Sequence, residues 1–242
     1  MDPAEVAKFS ALADEWWDPN GKFRPLHRLN PVRLGFIRET AIAHWKRDAR
    51  TLKPFGGLSL LDLGCGGGLL SEPLARMGFE LLGADASDEN IQVAAAHASR
   101  SGLKLRYRAA TAETLVGEGL RFDFVIAMEV AEHVADVGAF VGACAKLVAP
   151  GGLLIVATIN RTLKSLALAK IGAEYVLRWL PVGTHDWNRF IAPGELQQQL
   201  QDAGLDVLNV QGVRFDPLRW DWQLARDTDV NYMVVATKEK RR

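Results

Sequence analysis

The residues of this chain best suited to chemistry are a glycine-rich loop and an acidic residue that follows it. Gly64, Gly66 and Gly68 are spaced along a loop that comes directly after a short apolar run, 59–63. Glycine adopts positive φ readily and places no side chain between the backbone and a ligand. Asp85 comes 17 residues after Gly68, at the end of a second apolar run, where its carboxylate could accept both hydroxyls of a ribose. These residues predict half of a nucleoside site.

The elements that would position these residues alternate along the chain. Short apolar runs predict strands, and the longer patterns between them predict helices. The predicted strands are 58–63, 79–84, 104–108, 122–127 and 152–157, and the predicted helices lie near 69–77, 88–101 and 136–148. This alternation is typical of an α/β fold, a doubly wound sheet with helices on both faces.

The two ends of the chain depart from the alternation. Residues 206–213 and 231–237 are predicted to be strands joined by a loop, hence antiparallel neighbours. Helical patterns near 3–17 and 30–51 predict an N-terminal helical extension over residues 1–52 that could lie over the mouth of the cofactor site.

Composition limits the class of protein. The 242 residues contain no Pro/Ser-rich linker, so a single domain, 1–242, is expected. The 29 basic and 29 acidic residues balance, which argues against a nucleic-acid partner and favours a small substrate. Cys65 and Cys144 cannot form a disulfide framework. The N-terminus lacks the pattern of a signal peptide and no apolar stretch reaches the ~18 residues of a membrane span, so we expect a cytoplasmic protein.

The spacing of the glycines distinguishes two cofactor classes. A dinucleotide loop needs G-x-G-x-x-G/A, and here Leu69 stands at the third position, which disfavours an NAD-dependent oxidoreductase. The pattern G-x-G-x-G preceded by Asp62 instead resembles motif I of the class I S-adenosylmethionine (SAM) methyltransferases. That resemblance implies a Rossmann-like, seven-stranded sheet with an antiparallel last strand, and SAM as cofactor.

The resemblance narrows to one family when the whole chain is considered. Eight segments stand in the same order as in the ubiquinone-biosynthesis O-methyltransferases: Phe9-Ser10-Ala11, Trp16-Trp17-Asp18, Pro25 to Gly35, Asp62 to Gly68, Glu129 to Val134, Gly172 to Tyr175, Gly183 to Asp186 and Asp229 to Met233. The resemblance implies methyl transfer from SAM to a phenolic hydroxyl of polyprenylated catechol or hydroquinone intermediates. Three alternatives stay open: a methyltransferase acting on another small molecule, an NAD-dependent oxidoreductase, and a non-catalytic SAM-binding protein.

The family resemblance also implies individual site residues. Arg33 matches an arginine that reaches the methionine moiety of SAM, and a guanidinium is well shaped for a carboxylate. Asp85 would hold the ribose. The full set implied for the cofactor is Arg33, Gly64, Gly66, Asp85, Ala112, Glu113 and Met128.

A segment rich in acidic residues and histidine is the candidate for the chemistry. Glu129, Glu132 and His133 are spaced i, i+3 and i+4, which on a helix places them on one face. A phenol has a pKa of about 10, so its proton must be removed or offset. The trio could bind a divalent cation, Mg²⁺ or Zn²⁺, that lowers this pKa. Alternatively His133 or His185 acts as a general base. The candidate catalytic residues are therefore His133, Glu129 and His185.

The segment 162–190 is expected to face the substrate and the membrane. Residues 162–180 are rich in leucine and carry Lys164, Lys170 and Arg178 but only one acid, Glu174. This pattern predicts an in-plane helix on an anionic surface. We therefore expect peripheral association with the inner face of the membrane, where a polyprenylated phenol or quinol would reside. The resemblance also admits other ubiquinone-biosynthesis enzymes as partners.

Overall fold

The computed structural model describes residues 6–7, 12–167 and 187–240 of the chain. Within them the strands are β1 Ser59–Leu63, β2 Glu80–Asp85, β3 Arg106–Ala109, β4 Phe122–Met128, β5 Val148–Ile159, β6 Asp206–Asp216, β7 Asp221–Ala225 and β8 Asn231–Thr237. They form one sheet in the order β3-β2-β1-β4-β5-β8-β6-β7. Strands β1 to β5 are parallel, whereas β8 is antiparallel to β5 and to β6. The predicted doubly wound α/β fold is confirmed.

The described helices are α1 Arg24–Trp45, α2 Ser71–Arg76, α3 Asp88–Arg100, α4 Ala112–Gly117, α5 Val137–Leu147 and α6 Pro193–Asp202, with a helical turn at Leu163–Ser165. Side chains of Ser87, Thr111 and Asp136 accept hydrogen bonds from backbone N–H groups in the first turns of α3, α4 and α5, so polar residues after the strands start these helices. Helices α4 and α6 were not predicted, because α4 buries only Ala112 and Leu115 and α6 only Leu196 and Leu200. Among the described helices, none is long and apolar enough to cross a membrane.

The core lies on both faces of the sheet. Because side chains alternate along a strand, Leu61 and Val125 pack on one face with α5 and α6, while Leu60 and Phe124 pack on the other with α1 and α2. All four side chains are fully buried. Parallel strands buried on both faces account for the continuous apolar runs in the sequence.

In the described part of the chain the sheet has eight strands, one more than the seven expected. Strand β7 pairs antiparallel with β6, with Arg214 opposite Gln223, and lies at the edge of the sheet. This stretch was expected to be a loop, and its connecting residues, 217–220, contain none of the glycine pairs that mark a tight hairpin. Trp220 supplies the positive φ, 54°, that the turn needs.

The described part of the N-terminal extension contains one long helix, but its boundaries differ from those predicted. Helix α1 begins six residues before residue 30 and contains Pro31, which the helix tolerates although it removes one backbone hydrogen bond. It ends at Trp45, since Lys46 adopts a left-handed φ of 51°. Of the helix predicted at 3–17, residues 12–17 form only a 3₁₀ turn, Ala13–Glu15, and residues 1–5 and 8–11 lie outside the described part of the chain.

Candidate active site

Side chains from other parts of the chain pack closely against the glycine turn after β1. Gly64 and Gly66 have φ of +74° and +51°, which disfavour any side chain. A Cβ atom at Gly64 would lie 2.4 Å from Val130 Cγ2, and one at Gly66 would lie 2.3 Å from the Trp16 indole. The backbone therefore passes close to the surrounding side chains, and a substitution at either glycine would clash as well as strain the turn.

Asp85 organises this turn from the end of β2. Its Oδ2 accepts the Gly66 N–H at 2.9 Å, and its Oδ1 accepts the Ser87 N–H at 2.9 Å and the Asn90 amide at 3.3 Å. Burial raises the pKa of the Asp85 carboxyl, and the hydrogen bonds from Ser87 and Gly66 oppose that shift. The predicted cofactor residue thus lies against the glycine turn, as expected for parallel neighbouring strands.

One cavity of about 160 Å³ lies where the ends of β1, β2 and β4 meet. It is lined by eight of the predicted site residues: Arg33, Gly64, Gly66, Asp85, Met128, Glu129, Glu132 and His133. Its wall includes further residues, among them Asp62 and Asn90. The carboxyl ends of parallel strands in an open sheet form such a crevice.

Ala112 and Glu113 line a separate cavity of about 20 Å³. Gly64, Asp85 and Val130 belong to the walls of both cavities. Ala112 and Glu113, which the family resemblance implies for the cofactor, are therefore adjacent to the main cavity, with these three residues between the two spaces.

The trio Glu129, Glu132 and His133 is not on one helix face, contrary to the prediction. Glu129 has a φ of +55°, and only Ala131–His133 forms a short 3₁₀ turn. Glu129 faces Arg33, whereas Glu132 accepts the Thr158 hydroxyl at 2.7 Å. The turn after β4 is too tight for an α-helix, so i, i+4 spacing does not align the side chains.

The carboxylates of the trio differ in environment. Glu132 is 3% exposed, and burial raises the pKa of its carboxyl, opposed by the neighbouring His133. Glu129 is a quarter exposed and pairs with the guanidinium of Arg33. Within residues 6–7, 12–167 and 187–240 no group of three or more His, Cys, Asp or Glu side chains is arranged to hold a metal ion. His185 lies outside these residues.

A segment before α1 covers the glycine turn, in line with the expectation that the N-terminal extension lies over the mouth of the cofactor site. The Trp17 indole donates to the Gly67 carbonyl at 2.9 Å, and the Trp16 indole donates to Asn90 Oδ1 at 2.8 Å. The His27 ring donates to the Trp16 carbonyl at 2.9 Å. Trp16 and Trp17 were singled out as part of a segment shared with the family, and Asn90 was not among the predicted site residues.

The cavity fits SAM on three observations. The glycine turn admits no side chain, Asp85 lies at the end of β2, and Arg33 is buried, with its Nε–H lacking a hydrogen-bond partner in the described structure. A buried guanidinium donor matches the carboxylate of the cofactor's methionine moiety. These residues could therefore hold the two polar ends of SAM.

The fold and this cavity define a class I SAM-dependent methyltransferase. The methyltransferase domain family matches residues 36–210. Among solved structures, magnesium protoporphyrin IX methyltransferase from Synechocystis PCC 6803 with bound SAM has a TM-score of 0.65 and 16% identity, over 99% of both chains. The same enzyme with bound SAH has a TM-score of 0.62 and 20% identity, over 86% of this chain and 82% of that one. At these identities the likeness concerns the fold.

Relatives with higher sequence identity identify the family more narrowly. The ubiquinone biosynthesis O-methyltransferase of Caulobacter sp. (strain K31) is 60% identical over 99% of this chain and 95% of its own length. That of Azorhizobium caulinodans is 56% identical over 97% of this chain and 93% of its own. The chain belongs to the ubiquinone biosynthesis O-methyltransferase family, and it is a SAM-dependent O-methyltransferase.

Proposed function

We propose that this enzyme methylates a phenolic hydroxyl at both O-methylation steps of ubiquinone biosynthesis. The acceptors would be 2-polyprenyl-6-hydroxyphenol and 3-demethylubiquinol. The observation that carries the proposal is that one cavity holds the cofactor residues Arg33, Gly66 and Asp85 together with Glu129 and His133. The shared name of the relatives supports the pathway. An NAD-dependent reaction has no support, because the loop lacks the third glycine and the matching family is that of methyltransferases.

The chemistry requires a proton to leave as the methyl group arrives. SAM supplies an electrophilic methyl on sulfonium, so the new O–C bond forms as the C–S bond breaks and S-adenosylhomocysteine (SAH) is released. His133 lies in the cavity wall, 7% exposed. We assign it as the general base that accepts the phenolic proton. His185 is the second candidate base from the sequence and lies outside the described residues.

The buried carboxylate beside His133 has a positioning role in this proposal. Thr158 donates its hydroxyl to Glu132, which fixes that side chain in the cavity wall. The charges of Glu132 and of the adjacent His133 attract each other, so Glu132 would hold the ring in place during proton transfer.

A metal-assisted reaction is the alternative for the same three residues. Glu129, Glu132 and His133 all line the cavity and are ligand types that suit Mg²⁺ or Zn²⁺. Such a site would require Glu129 to leave Arg33 and Glu132 to turn from Thr158. A bound cation would lower the pKa of the phenol without a protein base.

We propose that the segment 162–190 meets the membrane and admits the polyprenyl chain. Residues 162–167 and 187–190 are the described part of it, following β5 on the cavity side of the sheet. Leu163 is 78% exposed, whereas Lys164 is paired with Asp229 at 2.9 Å and lies 3.8 Å from Asp227. Peripheral association with the inner face of the membrane, from the cytoplasmic side, would bring the enzyme to its lipid-anchored acceptor.

The test is methyl addition followed by mass spectrometry. Purified enzyme and SAM are incubated with a short-chain prenylated catechol, the same catechol without its prenyl group, and a panel of small carboxylates and amines. We expect a gain of one methyl on the prenylated catechol and a lower kcat/KM without the prenyl chain. Turnover of only the carboxylates or amines would favour another small-molecule methyltransferase, and binding of SAH without turnover of any acceptor would favour a non-catalytic protein.

A further inference from the structure

Arg33 and Glu129 form an ion pair across the cavity, although they are 96 residues apart in the sequence. Arg33 projects from α1 and is 3% exposed, and its Nη1 donates to the Glu129 carboxylate. Its Nη2 donates to the Asn30 side chain. The carboxylate that balances the buried guanidinium therefore comes from the protein itself.

The guanidinium nevertheless retains unused binding capacity. Its Nε–H is buried and has no hydrogen-bond partner in the described structure. Leaving a buried donor unpaired costs free energy, so an acceptor that enters the cavity is favoured at this point. A carboxylate is the best-matched acceptor, because it can take two parallel N–H groups of one arginine.

We infer that Glu129 is a stand-in for the cofactor's carboxylate, and that the methionine carboxylate of SAM displaces it from Arg33. This inference rests on the proposed function. Two carboxylates on one buried guanidinium repel each other in a site of low dielectric, so the arrival of the second weakens the first. Glu129 is the partner that can leave, because its side chain is a quarter exposed.

The backbone at Glu129 permits a movement of the side chain alone. The Glu129 N–H donates to the Ala157 carbonyl at 3.0 Å, which holds the residue to β5 in its positive-φ conformation. The freed carboxylate would then stand in the cavity beside His133. Cofactor binding would thus make Glu129 available to the acceptor or to a metal ion, and the acceptor would bind second.

Calorimetric titration of two ligands tests the exchange. SAH carries the carboxylate, whereas 5′-methylthioadenosine keeps the adenosine and the thioether but lacks the amino acid. We expect Glu129→Gln to bind SAH about ten-fold more tightly than the wild type, the coupling typical of neighbouring charged groups. Its affinity for methylthioadenosine should be unchanged. Glu39→Gln is the matched control, since Glu39 is exposed on the same helix as Arg33.

A second measurement follows the guanidinium directly. In protein labelled with ¹⁵N-arginine, the Arg33 Nε–H resonance, assigned with Arg33→Lys, should shift when SAH is added and stay in place with methylthioadenosine. Three results would each overturn the inference. In the first, Glu129→Gln binds SAH no more tightly than the wild type; in the second, it binds both ligands more tightly; in the third, the Nε–H resonance does not shift when SAH is added. If the wild type binds neither SAH nor SAM, the proposed function fails instead, and the two failures are thereby distinguished.

Discussion

The indole of Trp16 donates a hydrogen bond to Asn90 Oδ1 at 2.8 Å, joining residues 74 positions apart. The same Asn90 side chain donates to Asp85, so the N-terminal segment is linked through one amide to the carboxylate expected to hold the ribose. Trp16 also stacks on Phe23, with ring centroids 3.8 Å apart. The segment before α1 is therefore a wall of the cofactor cavity, and its position depends on a polar contact with the site.

Removing that contact should speed release of the product. Trp16→Phe keeps an aromatic ring but loses the indole donor, a bond worth about 1 kcal/mol. We expect SAH to dissociate up to about ten-fold faster, because the covering segment opens more readily. Chase experiments with excess unlabelled ligand measure this rate. Trp220→Phe, on the β6–β7 hairpin and outside the cavity, should leave it unchanged. Equal rates in both variants would show that the segment does not retain the ligand.

Asp85→Asn should weaken cofactor binding while the protein remains folded. Asparagine keeps one oxygen for the Gly66 or Ser87 N–H, whereas alanine would leave both buried donors unpaired. Loss of the charged acceptor should cost about 1.5–3 kcal/mol of SAH binding. Titration calorimetry measures the loss, and circular dichroism checks the fold. Undiminished affinity in a folded Asp85→Asn protein would contradict the ribose assignment.

The titration of Asp62 should lower the free energy of unfolding as the pH rises. Ser71 donates to its carboxylate at 2.5 Å, but burial raises the pKa of Asp62 to about 6. Because the folded-state pKa lies above the ordinary value, the stability associated with protonated Asp62 is complete below about pH 4 and is lost as the pH rises through about 6.

The variant Asp62→Asn should therefore gain stability over the wild type at pH 7 but not at pH 4. The gap in unfolding free energy should grow by up to about 3 kcal/mol across that window. Urea unfolding at a series of pH values measures it. Asp206→Asn, at an exposed carboxylate, provides the control, and a gap that is independent of pH would show that Asp62 titrates normally.

His133 should govern the chemical step more than cofactor binding. Replacing a general base typically lowers the rate about 10²–10⁴-fold, so His133→Asn should have a lower kcat with little change in SAH affinity. Full activity of His133→Asn would show that His133 takes no part in the reaction.

Chelator treatment separates the two mechanisms. If a protein base accepts the proton, activity should survive the chelator. If Glu129, Glu132 and His133 hold a metal ion, activity should be lost and should recover on adding Mg²⁺ or Zn²⁺.

Membrane association should depend on the cations of the segment 162–190. Binding to phosphatidylglycerol vesicles should weaken with salt and in the double variant Lys164→Glu/Lys170→Glu, because headgroup attraction is electrostatic. Co-sedimentation measures it. Since Lys164 already pairs with Asp229, Lys170→Glu alone should account for much of the loss. Lys104→Glu, exposed before β3, is the control, and no binding to anionic vesicles by the wild type would defeat the proposal.

Local sequence patterns were sufficient for the elements that carry the cofactor residues. The apolar runs before Gly64 and Asp85 became β1 and β2, and their parallel pairing brought the loop and the acid into contact, as predicted. Strand β7 escaped prediction because none of its residues is buried, and helix α4 because only Ala112 and Leu115 are, which leaves no clear apolar pattern in either. The family segments predicted the reaction class, which the relatives confirm.

The sequence by itself determined which functional residues follow which strand. A glycine turn follows the first strand, an acid ends the second, and a segment of acids and histidine follows the fourth. The partners of those side chains were decided only in the tertiary structure. Glu129 pairs with Arg33 and Glu132 with Thr158 because the chain turns through a positive φ at Glu129, and no helical spacing rule anticipates that. Periodicity reports which face of an element is buried, whereas the contacts between distant segments depend on how those faces pack together.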